Sequence, residues 1–358
     1  MKIGFSVATS DVDTPLLPAQ QGEFTKNLDI LSEHGYDGVE ISLRQPKELD
    51  FDMLRKQVEK RGLEVAAIHT AAIGFQDKIW LCHPDRSIRD EGMTRLKGAL
   101  DAASLFGVEV IIGSFRGQLS DGEARKESLK WMYDAFKEGS DYAENKGTKI
   151  LFEPQTRFYI NFGFTAQDGV KFAQDINSPG MGIMLDTFHM NIEDVSFSQS
   201  IFDSREYLGY LQISDSNRRY PGGGHIPFRE IISSLKAIDY SGYLSLQIVM
   251  DPDFKTAAKV SGSRFVYLKN NLAKLERVLA SFMIESNVKF GNFNEIYTPY
   301  LVNEKALIGT GQLPKFDSDI FKTRENLWLI PTSEVTLINL VRDKIIEKDD
   351  LPIRYTSY

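Results

Sequence analysis

The chain contains a single cysteine, Cys82. One thiol cannot form an internal disulfide, so we expect the protein to fold in a reducing, cytoplasmic compartment. The sequence has no run of about 18 apolar residues that could cross a bilayer. It also lacks the charged start and apolar stretch of a secretory signal, because residues 1–6 lead directly into a strand pattern. Neither secretion nor a membrane role is predicted.

Basic side chains are outnumbered as well, since 42 Lys and Arg residues stand against 50 Asp and Glu residues, for a net charge of −8. No basic stripe could neutralise phosphates, so a nucleic-acid partner is not expected. Hydrophobic residues make up 42% of the chain and charged residues 26%, as in soluble globular proteins. The 358 residues suffice for one large α/β barrel with a smaller piece, or for two ordinary domains.

Short runs rich in Val, Ile and Leu recur through the N-terminal part of the chain. They cover residues 2–7, 38–43, 65–69, 108–113, 149–152, 182–186, 208–214 and 242–249. Near-continuous apolar runs of this length favour parallel strands that are buried on both faces. Segments with helical periodicity lie between them, for example residues 24–32 and 93–106. Several of the turns that follow helices carry a glycine that can adopt the left-handed conformation ending a helix, at Gly35, Gly62, Gly107 and Gly147.

A strand followed by a helix, repeated eight times, predicts an α/β fold of the (β/α)8 TIM barrel type over residues 1–272. The alternative is an open doubly wound sheet, which would carry a glycine-rich phosphate turn after its first strand. No such turn follows residues 2–7. We therefore expect the closed barrel.

Oxygen-bearing side chains end four consecutive predicted strands. They are Glu153, Asp186, Gln212 and Gln247. The carboxyl ends of barrel strands meet at one mouth, where catalytic groups lie. Two carboxylates with two amide oxygens suit a hard divalent cation, Mg²⁺ or Mn²⁺. A metal site is therefore predicted at the mouth, and His69, at the end of the third strand, is a candidate for binding substrate there.

Three segments carry a resemblance to a known family. Residues 184–193, 215–219 and the glycine-rich 221–225 resemble the xylose isomerase-like barrels, and among them the ketose 3-epimerases and related sugar or sugar phosphate isomerases. The resemblance extends over residues 1–272. It implies a metal held by Glu, Asp, His and Glu from the last four strands, at positions that fall on Glu153, Asp186, Gln212 and Gln247. The substrate-binding histidine and arginine of that family fall on His189 and Arg218.

Three positions depart from the family pattern. Gln212 replaces a histidine but still offers an oxygen to a cation. Gln247 replaces a glutamate, and an amide cannot carry a proton to and from carbon. Tyr159 stands where the epimerases tend to have a second glutamate. Glu153 is then the leading catalytic base, which favours a one-base isomerisation, a dehydration or a non-catalytic site over two-base epimerisation.

The segment from about Leu275 has a different character. A predicted amphipathic helix, residues 275–283, and a strand, residues 293–297, precede Pro299. Together with residues 309–316 and 327–334, they resemble the catalytic core of seryl-tRNA synthetase, a class II synthetase, across residues 276–358. The resemblance places the motif 1 proline at Pro299 and the serine-recognition loop at Thr332 and Glu334.

This resemblance covers only part of the synthetase core. The motif 2 strand with its ATP-binding arginine would follow Tyr358, and motif 3 is absent. Without those arginines nothing polarises the α-phosphate for adenylate formation. We therefore expect residues 273–358 to be an incomplete α+β fragment without synthetase activity, with apolar faces left uncovered.

The resulting hypothesis is a metal-dependent isomerase or epimerase that acts on a small sugar or sugar phosphate. Two alternatives stay open. The first is a sugar-binding barrel that has lost catalysis. The second is that the chain would be assigned as a serine–tRNA ligase because of a C-terminal fragment that is itself inactive. The expected partner is a small-molecule carbohydrate, and homo-oligomerisation is left open. Glu40, Arg116 and His225 are further candidates for lining the mouth.

Overall fold

The computed structural model describes residues 1–251, 253–261, 270–317 and 320–358. The chain divides into two compact units, Met1–Val266 and Tyr267–Tyr358, each with its own hydrophobic core. The division itself falls outside the described residues. The domain boundary predicted at 272/273 lies inside a helix of the second unit, and it stays a prediction.

The first unit is a closed barrel of eight parallel strands that pair in chain order, β1 to β8. The strands span Lys2–Ala8, Gly38–Ser42, Glu64–His69, Val110–Ile112, Ile150–Phe152, Met181–Asp186, Leu208–Ile213 and Tyr243–Leu246. β1 closes the barrel against β8 in a register that aligns Ile3 with Leu244. The predicted (β/α)8 architecture is confirmed.

Helices connect the strands and pack around the barrel. The helices α1 to α10 span Phe24–Glu33, Phe51–Glu59, Ala71–Asp77, Arg86–Phe106, Ala124–Asn145, Ala166–Ile176, Thr187–Glu193, Phe197–Ser204, Phe228–Ala237 and Phe254–Ser261. Short 3₁₀ turns occupy Pro46–Glu48 and Ser114–Arg116. The four glycines expected after helices all have left-handed backbones, with φ between 70° and 74°. This part of the prediction is confirmed as well.

Two strands are shorter than the sequence predicts by three residues or more. The sequence predicts a fourth strand that begins at residue 108, but the Val108 amide donates to the Ala103 carbonyl at 3.0 Å and so closes the end of α4. The eighth strand ends at Leu246 rather than at residue 249, because the Val249 amide donates to the Arg218 carbonyl at 2.8 Å. The chain after β8 therefore holds the loop that carries Arg218.

The main hydrophobic core lies between the strands and the surrounding helices, where Phe136 and Ile183 are among the fully buried side chains. Burial of each such side chain contributes about 1.5–3 kcal/mol. A smaller apolar cluster, which includes Ile111, Leu151 and Met184, fills the barrel interior. The polar side chains at the carboxyl ends of the strands therefore lie above a closely packed apolar layer.

The second unit begins with the long helix α11, Asn270–Gly291, which contains the predicted helix 275–283. Its remaining elements are short: β9 Asn294–Glu295, β10 Leu301–Val302, α12 Glu304–Gly309, β11 Trp328–Leu329, α13 Glu334–Asn339, a 3₁₀ turn at Lys348–Asp350 and β12 Tyr355–Thr356. The strand predicted over 293–297 is only two residues long. Within the described residues, no helix combines the length and apolar composition needed to cross a bilayer.

Large apolar side chains of the second unit are widely exposed. Phe282, Phe290 and Ile345 are 64%, 80% and 98% exposed. Its core is a small cluster around Leu307 and Trp328. Two-stranded sheets such as β10 with β11 are only marginally stable by themselves.

We expect the barrel to fold without residues 273–358. Among the residues that the structure describes, the main core cluster of the barrel ends at Ala258. Deletion of 273–358 should therefore shift the melting temperature of the barrel by less than about 4 °C, which corresponds to under about 1 kcal/mol for a domain of this size. Circular dichroism during heating would measure the shift. A truncated barrel that unfolds at room temperature would show that the C-terminal unit has a structural role.

Candidate functional site

A buried group of two carboxylates and one imidazole lies at the C-terminal mouth of the barrel. Glu153 follows β5, Asp186 ends β6, and His189 lies in the first turn of α7. His189 Nε2 is 3.6 Å from Glu153 Oε1 and 3.9 Å from Asp186 Oδ2. One ligand atom from each residue lies within 4.8 Å of the others, so the group could hold a metal ion.

Glu153 is held through one carboxylate oxygen only. Oε2 accepts a hydrogen bond from Gln155 Nε2 at 3.0 Å, and Gln155 Oε1 accepts one from the Ser114 hydroxyl. Gly113 makes room for the carboxylate, because a Cβ there would lie 1.9 Å from Oε2. Oε1 meets no hydrogen-bond partner among the described residues. Burial, followed by the charge of Asp186, raises the pKa of Glu153 to about 8.

Arg116, a candidate for lining the mouth, ties strand ends together instead. It is fully buried and donates to the carbonyls of Gly113 and Glu153 at 3.0 and 2.8 Å. Its guanidinium also lies over the Phe152 ring, 4.5 Å from the centroid. Burial lowers the pKa of Arg116 to about 10, so it stays a cation at neutral pH. Its hydrogen bonds fix the backbone that carries Glu153.

A backbone contact determines how His189 presents its ring. The Thr156 N–H donates to Nδ1 at 3.3 Å, so the neutral ring carries its proton on Nε2. Burial lowers the pKa of His189 to about 3, which keeps the ring neutral at physiological pH. A protonated Nε2 can donate to a substrate oxygen, whereas metal ligation needs the lone pair. The geometry favours the substrate-binding role for His189 over metal ligation.

Arg218 orders the other side of the mouth from a left-handed backbone with φ of 60°. Its guanidinium donates to Asp186 Oδ2 and to Gln247 Oε1. Because a guanidinium only donates, the Gln247 amide presents its oxygen to Arg218 and its nitrogen to His69, 3.4 Å from His69 Nε2. Burial, followed by the Arg218 charge, lowers the pKa of His69 to about 4. His69 is therefore a neutral acceptor.

Gln212 lies beside Asp186 in the register of β6 and β7. Its amide nitrogen donates to Glu40 Oε1 at 2.9 Å. Its amide oxygen has no hydrogen-bond partner in the part of the chain that the structure describes. Glu40 is fully buried beneath the mouth, where burial raises its pKa.

The structure brings the predicted site residues together at the mouth, and four of them keep one unpaired buried atom. Among the described residues, Glu153 Oε1, His189 Nε2, Gln212 Oε1 and Arg218 Nε have no partner. Buried polar atoms are normally paired, so this concentration indicates a place where a ligand supplies the missing contacts. Gln247 differs, because Arg218 already occupies its oxygen.

Sequence reasoning missed three residues that shape the site. Gly113 acts only through the space it leaves, and Thr156 acts through its backbone N–H, so neither has a side-chain signal in the sequence. Gln155 was detectable in principle, because it stands two residues after the predicted base. His225, another candidate, is exposed in the glycine-rich loop with Nδ1 2.9 Å from the Ser216 hydroxyl.

The pocket above the group is small. Its volume is about 20 Å³, which is room for about one water molecule and far below the ~300–1,000 Å³ of pockets that enclose a small ligand. His69 and Arg218 lie on its polar side, and Leu16, Leu17 and Phe75 on its apolar side. A sugar can therefore enter only if part of this wall moves.

Known proteins match the barrel. The model of the xylose isomerase-like TIM barrel family matches residues 28–265. A D-allulose 3-epimerase structure from Methylomonas sp. is similar at 25% identity, with 78% of this chain and 97% of that chain covered and a TM-score of 0.59. An L-ribulose 3-epimerase structure is similar at 26% identity, with 81% and 97% covered and a TM-score of 0.59.

A second set of relatives covers a smaller share of the chain. A serine–tRNA ligase of Wolbachia pipientis subsp. Culex pipiens is 56% identical over 106 residues, which are 30% of this chain and 25% of the ligase. The ligase of Maricaulis maris is 52% identical over 106 residues, with the same coverage. The chain thus spans about a quarter of the length of these curated relatives.

We expect the metal-free protein to be most stable near pH 6.5. His69 and His189 have pKa values of about 4 and 3 in the folded protein, against an ordinary 6.5 in the unfolded chain. As the pH drops below 6.5, the unfolded chain binds these two protons and the folded protein does not, so the stability falls. Glu153 has a folded pKa of about 8 against an ordinary 4.5, so stability falls as pH rises from 4.5 to 8. Two histidines outweigh one carboxylate below pH 6.5, and the carboxylate acts alone above it.

Urea unfolding in EDTA, between about pH 5 and 8, would measure this profile. Glu153→Gln should remove the alkaline loss, which is about 1.4 kcal/mol per pH unit for one proton. Glu123→Gln, at an exposed position, is the matched control and should keep the loss. If the unfolding free energy of Glu153→Gln fell with the same slope above pH 6.5, another group would be responsible for the loss.

Proposed function

Because the chain belongs to the xylose isomerase-like TIM barrel family, we propose that it is a metal-dependent isomerase or epimerase of a small sugar or sugar phosphate. The reaction would move a proton next to the substrate carbonyl. The observation that carries this proposal is the buried group of Glu153, Asp186 and His189 at the C-terminal mouth. Barrel enzymes place their chemistry at this end of the strands.

Three oxygen donors fit a divalent cation. Glu153 Oε1 and Gln212 Oε1 have no partner among the described residues, and Asp186 supplies a second carboxylate beside them. Oxygen donors of this kind suit Mg²⁺ or Mn²⁺. Gln247, the fourth predicted ligand, could join only if Arg218 released its oxygen. The cation, when bound, would polarise the substrate carbonyl as a Lewis acid.

Glu153 is the residue that would move the proton. Without a cation its pKa is about 8, which is close to the pH at which a base works best. Oε1 would contact the cation, so Oε2, which Gln155 holds, would carry the proton. His189 Nε2–H and Arg218 would hold substrate oxygens by donating hydrogen bonds. The amide of Gln247 cannot accept a proton from carbon. A single base favours isomerisation, which can return the proton on the same face of the substrate.

The substrate class follows from the family and from the similar structures. Those structures are named as 3-epimerases of D-allulose and L-ribulose, both small sugars. We propose a small carbohydrate for this chain too, bound after the apolar wall of Leu16, Leu17 and Phe75 moves. A cytoplasmic location is proposed with it, on the ground of the single cysteine.

A sugar-binding barrel without catalysis is the second candidate. The observation that favours it is the Arg218 guanidinium, which already pairs with Asp186 and Gln247 where a cation would compete. Metal content of the purified protein, combined with activity on a panel of ketoses, separates the two candidates. Sugar binding without metal or turnover would favour the second.

We propose that the C-terminal unit is related to part of the serine–tRNA ligases and that residues 273–358 alone have no ligase activity. The matched residues are about a quarter of the length of those ligases. Pro299, Thr332 and Glu334 would occupy the family positions named above. Serine-dependent exchange of pyrophosphate into ATP is the measurement that would reveal an active synthetase.

Glu153→Gln should abolish exchange of the substrate proton with solvent. A positioned general base contributes about 10²–10⁴-fold, so deuterium incorporation into a ketose in D₂O should fall at least about 100-fold. Mass spectrometry of the recovered sugar gives the rate, and Glu123→Gln serves as the control. Wild-type exchange in Glu153→Gln would mean that another group is the base.

Gln247→Glu should raise the epimerisation rate. The new carboxylate would follow β8, three strands away from Glu153 after β5, and would supply the second base that two-face proton transfer requires. The ratio of epimer to isomer formed from one ketose, followed by NMR, would measure the change. Gln174→Glu, at an exposed position on α6, is the charge-matched control. An unchanged ratio would contradict the proposal that position 247 is where this chain lacks the second base.

A further inference from the structure

A buried polar cluster lies inside the barrel beneath the mouth. Ser6 on β1 pairs in register with Glu40 on β2, and Gln212 on β7 pairs with Ser245 on β8. Tyr210 precedes Gln212 by two residues and so points to the same face of β7. All five side chains are buried. Glu40 is the only carboxylate among them, and a buried carboxylate is costly unless its contacts compensate.

The contact between Glu40 and Gln212 settles the orientation of an amide. The Gln212 amide nitrogen donates to Glu40 Oε1 at 2.9 Å. Because Glu40 Oε1 accepts this hydrogen bond, the NH₂ end of the amide faces Glu40. The amide oxygen is thereby turned away from Glu40. That oxygen is buried and has no hydrogen-bond partner among residues 1–251, 253–261, 270–317 and 320–358. The other carboxyl oxygen, Glu40 Oε2, has no hydrogen-bond partner among the described residues.

Gln212 is a neighbour of the metal-binding group in the barrel. The β6–β7 register places Gln212 directly beside Asp186, whose carboxylate belongs to that group. An amide turned the other way would present two N–H donors to a cation, which repel it. The orientation of this one amide therefore decides whether Gln212 can be a ligand at all.

We propose that Glu40 is a positioning residue that holds the Gln212 amide oxygen toward the divalent cation. The inference rests on the proposed function, because it needs the cation site. It adds a carboxylate that touches neither metal nor substrate and acts through Gln212 alone. Hydrogen-bonded partners that orient metal ligands typically contribute about 10–100-fold in metal affinity.

Titration of the full metal-free chain with Mn²⁺ by calorimetry tests the proposal. Glu40→Gln keeps the volume but can donate as well as accept, so the Gln212 amide loses its fixed direction. The Mn²⁺ dissociation constant should rise about 10–100-fold. Ser204→Ala, which removes a buried hydroxyl at the end of α8, outside the polar cluster and the metal-binding group, is the matched control and should bind Mn²⁺ as the wild type does.

A double-mutant cycle shows whether Glu40 acts through Gln212. Gln212→Met removes the oxygen at similar volume and should also weaken Mn²⁺ binding. In that background Glu40→Gln should have no further effect, because there is no amide left to orient. An effect of Glu40→Gln that persists in Gln212→Met would overturn the proposal in favour of a direct charge effect. Full Mn²⁺ affinity in Gln212→Met would overturn it too.

Folding and the proposed function are controlled separately. Circular dichroism and melting temperature check each variant, and Glu40→Met, which buries no polar group at position 40, replaces Glu40→Gln if the latter does not fold. It should show the same loss of Mn²⁺ affinity. If the wild type binds no Mn²⁺, the proposed function fails and the inference fails with it. If the wild type binds and neither variant at position 40 changes the affinity, only the inference is wrong.

Discussion

The mouth of the barrel is organised around the fact that a guanidinium group can only donate hydrogen bonds. Arg218 donates hydrogen bonds to Asp186 Oδ2 and to the single side-chain oxygen of Gln247. The Gln247 amide nitrogen therefore faces His69, and His69 Nε2 is the acceptor. Arg218 and Asp186 are both buried, so loss of either partner would leave an uncompensated charge at a cost of about 3–5 kcal/mol. Because Arg218 pairs with Asp186 and Gln247 on that side of the mouth, the unpaired atoms of Glu153 and Gln212 are left for a ligand.

The unpaired atoms at the mouth link ligand binding to the stability of the folded barrel. A buried polar atom without a partner costs roughly 1–3 kcal/mol. Within the described residues four of them meet at this mouth, on Glu153, His189, Gln212 and Arg218. Their combined cost is comparable with the ~5–15 kcal/mol by which a domain is stable, so the packed barrel must offset it. A ligand that satisfies the same atoms stabilises the folded state by mass action.

The barrel and its leading site residues could be predicted because their signals are local and repeated. Parallel strands end at one edge, so Glu153 and Asp186 could be placed together from their positions at strand ends alone. The groups that orient them depend on tertiary distances that no spacing reveals. Gly113 matters because a Cβ at that position would lie 1.9 Å from the Glu153 carboxylate, and Thr156 matters through its backbone N–H. The end of β8 likewise depends on a hydrogen bond to the Arg218 carbonyl.

The two glutamines show why residue type alone does not assign a role in this site. Gln212 and Gln247 follow the same logic in the sequence, since each brings an amide to the end of a neighbouring strand. The Gln212 amide nitrogen donates to Glu40 Oε1, so the amide oxygen is left without a partner among the described residues. Gln247 meets Arg218, which only donates, so its oxygen is consumed. One amide is thereby available to a cation and the other is not, and the difference comes from the hydrogen-bonding character of the partner that each one meets.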